Sequence, residues 1–582
     1  MTIPTQNPKN ILQNESFQVG LFLLFSIFLA YNALAINLRE INFWDEAVYL
    51  NTGRSLFLGE LPPFSRNPLI GVFYALTYLP FSASHYWMTQ SAMLGRFFLF
   101  TLMWISGYLV AREATEQKTL PFIFAALLIF SPVLVEIVGN PSDALFSAMS
   151  AFALWQLLRF YHHRRTEALA KMSFFLGLSA LSRNDGLVLF AIFMLIAILL
   201  AYKNTKKWKL ALSALLPFFA LVIGYLLIFG AISGSAELDT AKRTYVAFLQ
   251  GHAVDYQHDD STCQQKIMKC VVHEAENIYG TAEENNASVF QAIHKNPSAY
   301  LSRLNKTIKT LPEKIVEAYG KRTVIALFLF TALGIFALLK KKEYLLLGIF
   351  FASMAYLGVY FLTFFRAGYF RMPYFIIFTL ATFGVSPIVD LASKKKTALF
   401  FSGIFLALIG TGIILDLRML YFTSALLLFA LLTGFTLILK DTKTGRYATL
   451  FLLLFAFAII SGKTFDPPIP HPLGQLPEEE AIVLMQETFP ENTPILAGAP
   501  GGAWAARMQY IEPSSESFQD IKSEEDLHNR LLELGVKAIY VDHHLSNTNQ
   551  FIWDLIEPRI GEWYETAYIG REGSIRVLIV QQ

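Results

Sequence analysis

Apolar runs as long as a bilayer is thick dominate the sequence. A hydrocarbon core takes about 20 residues of helix to cross, and runs of this kind recur at 17–37, 90–111, 120–138, 143–161, 208–232, 323–340, 343–365, 372–391, 397–415, 419–440 and 446–463. A further stretch, 171–203, is interrupted by Ser182-Arg183-Asn184-Asp185-Gly186. One helix through it would bury an arginine and an aspartate at mid-membrane, so the break predicts two short spans. The expectation is a polytopic α-helical membrane protein of about thirteen spans. Composition agrees, with 54% of 582 residues hydrophobic and 16% charged, where a soluble domain carries about 25% charged. A single soluble core stops growing near about 250–300 residues, so the apolar excess must face lipid. A net charge of +2 gives no field for nucleic acid, and two cysteines rule out a disulfide scaffold or a thiolate metal cluster.

Charge asymmetry orients the spans. Alternate loops carry Arg112/Lys118, Arg159/Arg164/Arg165/Lys171, Lys203/Lys206/Lys207/Lys209, Lys340/Lys341/Lys342, Lys394/Lys395/Lys396 and Lys440/Lys443/Arg446. By the positive-inside rule these are cytoplasmic, which places the N-terminus inside and the C-terminus outside. The first span is preceded by a polar stretch with one Lys and followed by no small-residue cleavage site, so it reads as a retained helix. Residues 1–463 thus form the membrane domain and 464–582 an extracytoplasmic α/β domain, with helix-like stretches at 477–489, 523–535 and 548–558 and strand-like ones at 494–496, 538–542 and 575–580. Two loops are external, 38–89 and 233–322. The second holds Cys263 and Cys270, which the oxidising compartment would pair as a disulfide, the alternative being two free thiols.

Candidate chemistry collects on that outer face. Asp45 and Glu46 open a helically spaced segment running to Leu58, expected to lie on the membrane surface, and acids in a first turn also serve simply as caps. Asp143 follows Asn140-Pro141-Ser142 at the external start of the fourth span. Arg183 and Asp185 sit at the tip of the short helical pair, and Arg366 and Arg371 flank Ala367–Phe370. Together with Arg54 and Arg66, these arginines form a pool for an anionic head group, while each alone is equally compatible with snorkelling. A segment containing Asn296, Pro297, Tyr300, Arg303 and Asn305 predicts an amphipathic helix lying over the site. Gly498–Gly502 reads as a strand-to-helix turn, His543-His544 as surface histidines, and Gly462-Lys463-Thr464 lacks the leading glycine of a phosphate loop.

The order Trp44-Asp45-Glu46-x-x-Tyr49, Arg66-Asn67-Pro68-Leu69, Asp143 and Gly177-Leu178-x-x-Leu181-x-Arg183-x-x-Gly186 resembles the GT-C glycosyltransferases. It is most similar to the branch of protein O-mannosyltransferases and lipid A aminoarabinose transferases. Motifs support the likeness over the first 210 residues or so, and topology supports it thereafter. Arg66-Asn67-Pro68-Leu69 stands where that branch has Lys-Pro-Pro-Leu, which argues against an aminoarabinose-type donor. The resemblance implies a hexosyl- or pentosyltransferase of the bacterial inner membrane, moving one sugar from a polyprenyl-phosphate donor to a lipid, glycan or protein acceptor on the outer face. It assigns Asp45 as base, with Glu46 orienting the acceptor or the base, and adds Tyr49, Arg54, Arg66, Asp143, Arg183, Arg366 and Arg371 as substrate contacts. A hydroxyl attacks only when its proton is taken, whereas a phosphate leaving group needs cations. No metal is required by that scheme, although Asp45 and Asp143 could share a divalent cation. A lipid-linked sugar flippase, or a polysaccharide polymerase or ligase using Arg243, Arg303 and Arg322, is the alternative.

Overall fold

The computed structural model describes residues 20, 41, 45–60, 68–115, 120–129, 131, 133–201, 207–233, 240–256, 268–392 and 473–581, except 519, 571, 572 and 574. The spans expected at 17–37, 397–415, 419–440 and 446–463 lie outside the described residues, as do Arg66, Cys263 and the Gly462-Lys463-Thr464 stretch. Cys270 falls at the start of a helix.

Helices begin and end where prolines, caps and charges dictate. After α1 (Asp45–Phe57) and α2 (Pro68–Tyr78) comes α3 (Trp87–Thr115), a helix long and apolar enough to cross a membrane. The run 120–138, expected as one span, is instead two pieces, α4 (Leu120–Ile129) and α5 (Val133–Val138). Pro132 lies between them, lacking the N–H that would carry the helix through and disfavouring helical backbone in Ser131. α6 (Pro141–His163) starts on an extended Asn140 with Pro141 in its first turn. The interrupted stretch resolves into α7 (Thr166–Ser182) and α8 (Asp185–Ala201), with Arg183 extended between them, so the expected helical pair is present.

α9 (Lys207–Ser233) is followed by α10 (Thr240–Tyr256), α11 (Met268–Tyr279), α12 (Val289–Lys295) and α13 (Pro297–Tyr319). All four, with Tyr245, Phe248, Tyr279, Ala292 and Tyr300, build a small, largely aromatic core of their own. The amphipathic helix expected around 296–305 is longer, reaching Tyr319, where Gly320 at φ +78° ends it. α14 (Lys321–Lys340) then runs back, α15 (Tyr344–Met354) and α16 (Gly358–Leu362) are joined by a 3₁₀ turn, and α17 (Tyr374–Ala392) packs closely on α14. Besides α3, windows in α9 and α14 and the α15–α16 unit are long and apolar enough to span a membrane.

The C-terminal domain contains α18 (Pro477–Thr488), β1 (Pro494–Ala497), α19 (Pro500–Ala505), β2 (Gln509–Ile511), α20 (Glu524–Glu533), β3 (Ala538–Val541), α21 (Gln550–Ile556), β4 (Tyr564–Ile569) and β5 (Arg576–Val580). The strands form one five-stranded sheet in the order β2-β1-β3-β5-β4, with β1 parallel to β2 and β3, and β5 antiparallel to β3 and β4. Successive side chains face opposite sides. Ile495, Ala497, Ala538, Tyr540 and Val577 therefore join a core continuous with the membrane helices, while Leu496, Ile539, Val541 and Leu578 fill a second core on the far face.

The domain sits on the start of the membrane unit. Trp87 Nε1 donates to the Ala505 carbonyl at 3.0 Å, Gln486 Nε2 to the His85 carbonyl at 3.2 Å, and Arg507 Nη2 to the Ser82 carbonyl at 2.6 Å. α19 packs on α1. On α1, Ala47, Leu50, Thr52 and Gly53 are buried against protein, while Phe57 and Leu58 are exposed at the end of the segment.

Candidate active site

Three elements bring their N-terminal ends or turns together on one side of the molecule. Asp143, in the first turn of α6, accepts from Asn140 Nδ2 at 2.8 Å and is ion-paired with Arg183 Nη1. Arg183 Nε in turn donates to Asp185 Oδ2 at 2.9 Å, and Tyr360 Oη donates to the same oxygen at 2.6 Å. One guanidinium thus bridges two carboxylates from the two ends of the α6–α8 turn region. Its carbon lies 5.3 Å from the centre of the Tyr369 ring, which stacks on Tyr360 at 3.9 Å and 17°. Burial here is deep, Asp143 being 4% exposed. Such a charge is tolerated only because it is paired and hydrogen-bonded.

A cavity of about 340 Å³ opens on this cluster. Its wall includes Tyr49 of α1, Ser142, Arg183 and Asp185, its roof Thr244 and Ala247 of α10, and its far side Thr363, Phe364 and Tyr369. Asp45 stands one helical turn before Tyr49, on the same side of α1, and its carboxylate is within electrostatic reach of Asp143. Arg366 is exposed, its guanidinium 4.6 Å from the centre of the Phe364 ring, and also acts electrostatically on Asp143.

Other expected site residues go elsewhere. Glu46 is fully buried, takes Arg96 Nε at 3.0 Å and Tyr74 Oη at 3.2 Å, and ties α1 to α3 and α2. Arg54 reaches Glu491 of the C-terminal domain at 3.5 Å. Arg371 donates to the Ala318 carbonyl at 2.6 Å and pairs with Glu136 at 3.4 Å. His543 and His544 lie in the C-terminal domain just after β3, and among the described residues no cluster of three metal-ligating side chains occurs. The sequence pattern gave no sign of Tyr360 or Tyr369, two tyrosines in an aromatic-rich stretch. Arg96 did carry a signal, since a lone cation inside an apolar run requires a buried carboxylate.

The fold has close parallels among solved structures. The chain superimposes on the crystal structure of ArnT from Cupriavidus metallidurans in the apo state, with TM-score 0.55, 10% identity, and 97% of this chain and 98% of that chain covered. The same protein bound to undecaprenyl phosphate gives TM-score 0.56 at 11% identity over the same shares. The fold is that of the GT-C glycosyltransferases. Archaeal oligosaccharyltransferase AglB from Archaeoglobus fulgidus matches 97% of this chain and 74% of its own at TM-score 0.49 and 13% identity. No protein-family profile and no curated protein matches the sequence. Within the GT-C fold seen here, the Asp143–Arg183–Asp185 cluster and its cavity lie on the same side of the membrane unit as α1, α10 and the C-terminal domain.

Proposed function

We propose that this protein is an integral-membrane glycosyltransferase that moves a single sugar from a polyprenyl-phosphate carrier to a hydroxyl acceptor on the extracytoplasmic face of a bacterial inner membrane. The observation that carries this reading is the cavity itself, polar and aromatic, built at the Asp143–Arg183–Asp185 cluster of a GT-C fold. The fold's solved counterpart is described with undecaprenyl phosphate bound. A volume of about 340 Å³ is at the small end of ligand pockets and suits one sugar ring and its phosphate better than a long glycan. Stacked tyrosines offer an apolar face to a sugar ring, and Asn184, Ser142 and Ser182 supply hydrogen-bonding partners.

In the proposed reaction Asp45 takes the proton from the acceptor hydroxyl as its oxygen attacks the anomeric carbon. The bond from that carbon to the phosphate oxygen breaks, the electron pair stays with the phosphate, and attack from the opposite face inverts the centre. Arg366, exposed beside the cavity, supplies a cation to the departing phosphate. Arg183 holds Asp143 and Asp185 in place and fills by its own charge the position between carboxylates where a divalent ion would otherwise sit. Transfer is therefore expected to survive a chelator. The decisive assay uses purified protein and a panel of radiolabelled polyprenyl-phosphate monosaccharides. Asp45→Asn should slow sugar release by about 10²–10⁴-fold with unchanged melting. Equal release by wild type and Asp45→Asn defeats the base assignment, and no release from any donor defeats the glycosyltransferase reading.

A further inference from the structure

The segment between α16 and α17 carries Phe364 and Tyr369 to the cavity and Arg366 beside it, and its regular structure is a single 3₁₀ stretch at Ala367–Arg371. Backbone carbonyls in such a segment need partners from elsewhere. α13 provides them in order along its length. Tyr300 Oη donates to the Phe361 carbonyl at 3.2 Å, Arg303 Nη2 to that of Thr363, Lys314 Nζ to that of Phe365 at 2.8 Å and Tyr319 Oη to that of Phe370 at 2.5 Å. Arg371 answers from the other side by donating to the carbonyls of Ala318 and Glu317.

Arg303 also reaches a second element. Its Nη1 donates to the Phe248 carbonyl of α10 at 3.0 Å, and its guanidinium lies 5.2 Å from the centre of the Phe248 ring. It is 2% exposed. One turn either side of Phe248, α10 lines the cavity with Thr244 and Ala247 and passes Arg303 at Gly251. A Cβ at Gly251 would fall on both Arg303 Nη2 and the Thr363 oxygen, so only glycine leaves room for this bridge.

We propose that Arg303 is a positioning residue for the transfer reaction, fixing the separation between the α10 roof of the cavity and the 363–371 wall that presents Arg366 and Tyr369. The inference rests on the glycosyltransferase reading for its kinetic consequence, but the tie between the two walls is a separate, physical claim. Both walls close on the same substrate space, and a displacement of about 1 Å in a reacting geometry can cost about 10²-fold in rate. Arg303 touches backbone oxygens rather than the cavity, so its loss acts on turnover through geometry and not through a lost substrate contact.

Two substitutions attack the bridge from opposite sides. Arg303→Met removes both donors. Gly251→Ala inserts a methyl between the guanidinium and Thr363 at a helix-interior position, where alanine by itself favours the helix. Hydrogen exchange and kinetics are read on the full-length protein in nanodiscs, with undecaprenyl-phosphate mannose and undecaprenyl-phosphate glucose as donors, and exposed Lys309→Met as control. Each bridge variant should raise exchange in peptides covering 240–256 and 361–372 together. Each should lower kcat at least 10-fold while KM for the donor changes less than 3-fold, and the double variant should be no worse than the poorer single one. Arg303→Lys, which keeps one donor, should recover part of kcat. Exchange rising in only one of the two segments overturns the tie, and so does rising exchange throughout the protein. Kinetics unchanged with both segments loosened overturns the positioning role. A wild type that turns over neither donor defeats the functional reading for these donors, and the exchange pattern alone then decides the tie.

Discussion

Asp45 and Glu46 are neighbours in sequence but face different surroundings, because one residue turns a helix by about 100°. Asp45 shares its side of α1 with Tyr49 and the cavity, whereas Glu46 meets Arg96 and Tyr74 inside the protein. The two should fail in different ways. Glu46→Gln removes the carboxylate charge from the buried ion pair with Arg96, at a cost of about 3–5 kcal/mol, and should appear as a large drop in melting temperature in detergent. Replacing both partners by methionine should recover much of that loss. A stable Glu46→Gln protein with abolished transfer would move Glu46 into the chemistry. The adjacent acids were legible in the sequence, but which of them meets the cavity depends on Arg96 lying fifty residues downstream on another helix.

At the scale of elements, spans were readable wherever a charge or a long run decided them. The break at Ser182–Gly186 could be placed because an arginine and an aspartate cannot rest at mid-membrane unpaired, and the structure adds that they pair with Asp143 and Tyr360. The division of 120–138 carries a signal in Pro132, which hydropathy does not weigh. In the C-terminal domain the buried strands β1, β3 and β5 announced themselves as apolar runs. β2 is three residues and β4 is largely exposed at the sheet edge, so neither carries enough buried side chain to register. Glycine spacing told least, although it matters between α14 and α17. There a Cβ on Gly334 would overlap the Leu380 carbonyl and one on Gly384 the Phe330 carbonyl. The two backbones are in direct contact, as small residues allow in membrane helices. Gly334→Ala should therefore already lower thermal stability, and Gly334→Leu further, measured by unfolding in detergent; a Gly334→Ala protein that melts with the wild type would mean the helices can part without loss.

Across the whole molecule, the sheet joins two cores and its buried acid links stability to pH. Asp542 follows β3, accepts the backbone N–H of Leu545 at 2.8 Å and of Ala499 at 3.2 Å, and so clamps the turn after β1 to the turn after β3. Burial pushes its carboxyl up from 3.8 to about 6. A folded-state value above the unfolded one means that the folded domain binds the proton more tightly. Stability from this group is thus fully present below about 3.8 and is lost as pH rises from there through about 6, above which it changes no further. Denaturation monitored between pH 4 and 7 should show the C-terminal domain losing about 1–3 kcal/mol on this account, nearly all of it below pH about 6, and Asp542→Asn should flatten that slope. An unaltered slope in the variant would assign the pH dependence to other groups.

The seating of α19 on α1 also has a consequence in time. α1 emerges early from the ribosome, yet the surface that covers it, with Ala505, Gln486 and Arg507, is made more than four hundred residues later. Until the last strand, β5, has threaded between β3 and β4, the sheet beneath that surface is incomplete. A chain cut at residue 463 should therefore insert and bind detergent as a membrane protein while remaining unable to transfer sugar, so that only a finished polypeptide acquires a working site.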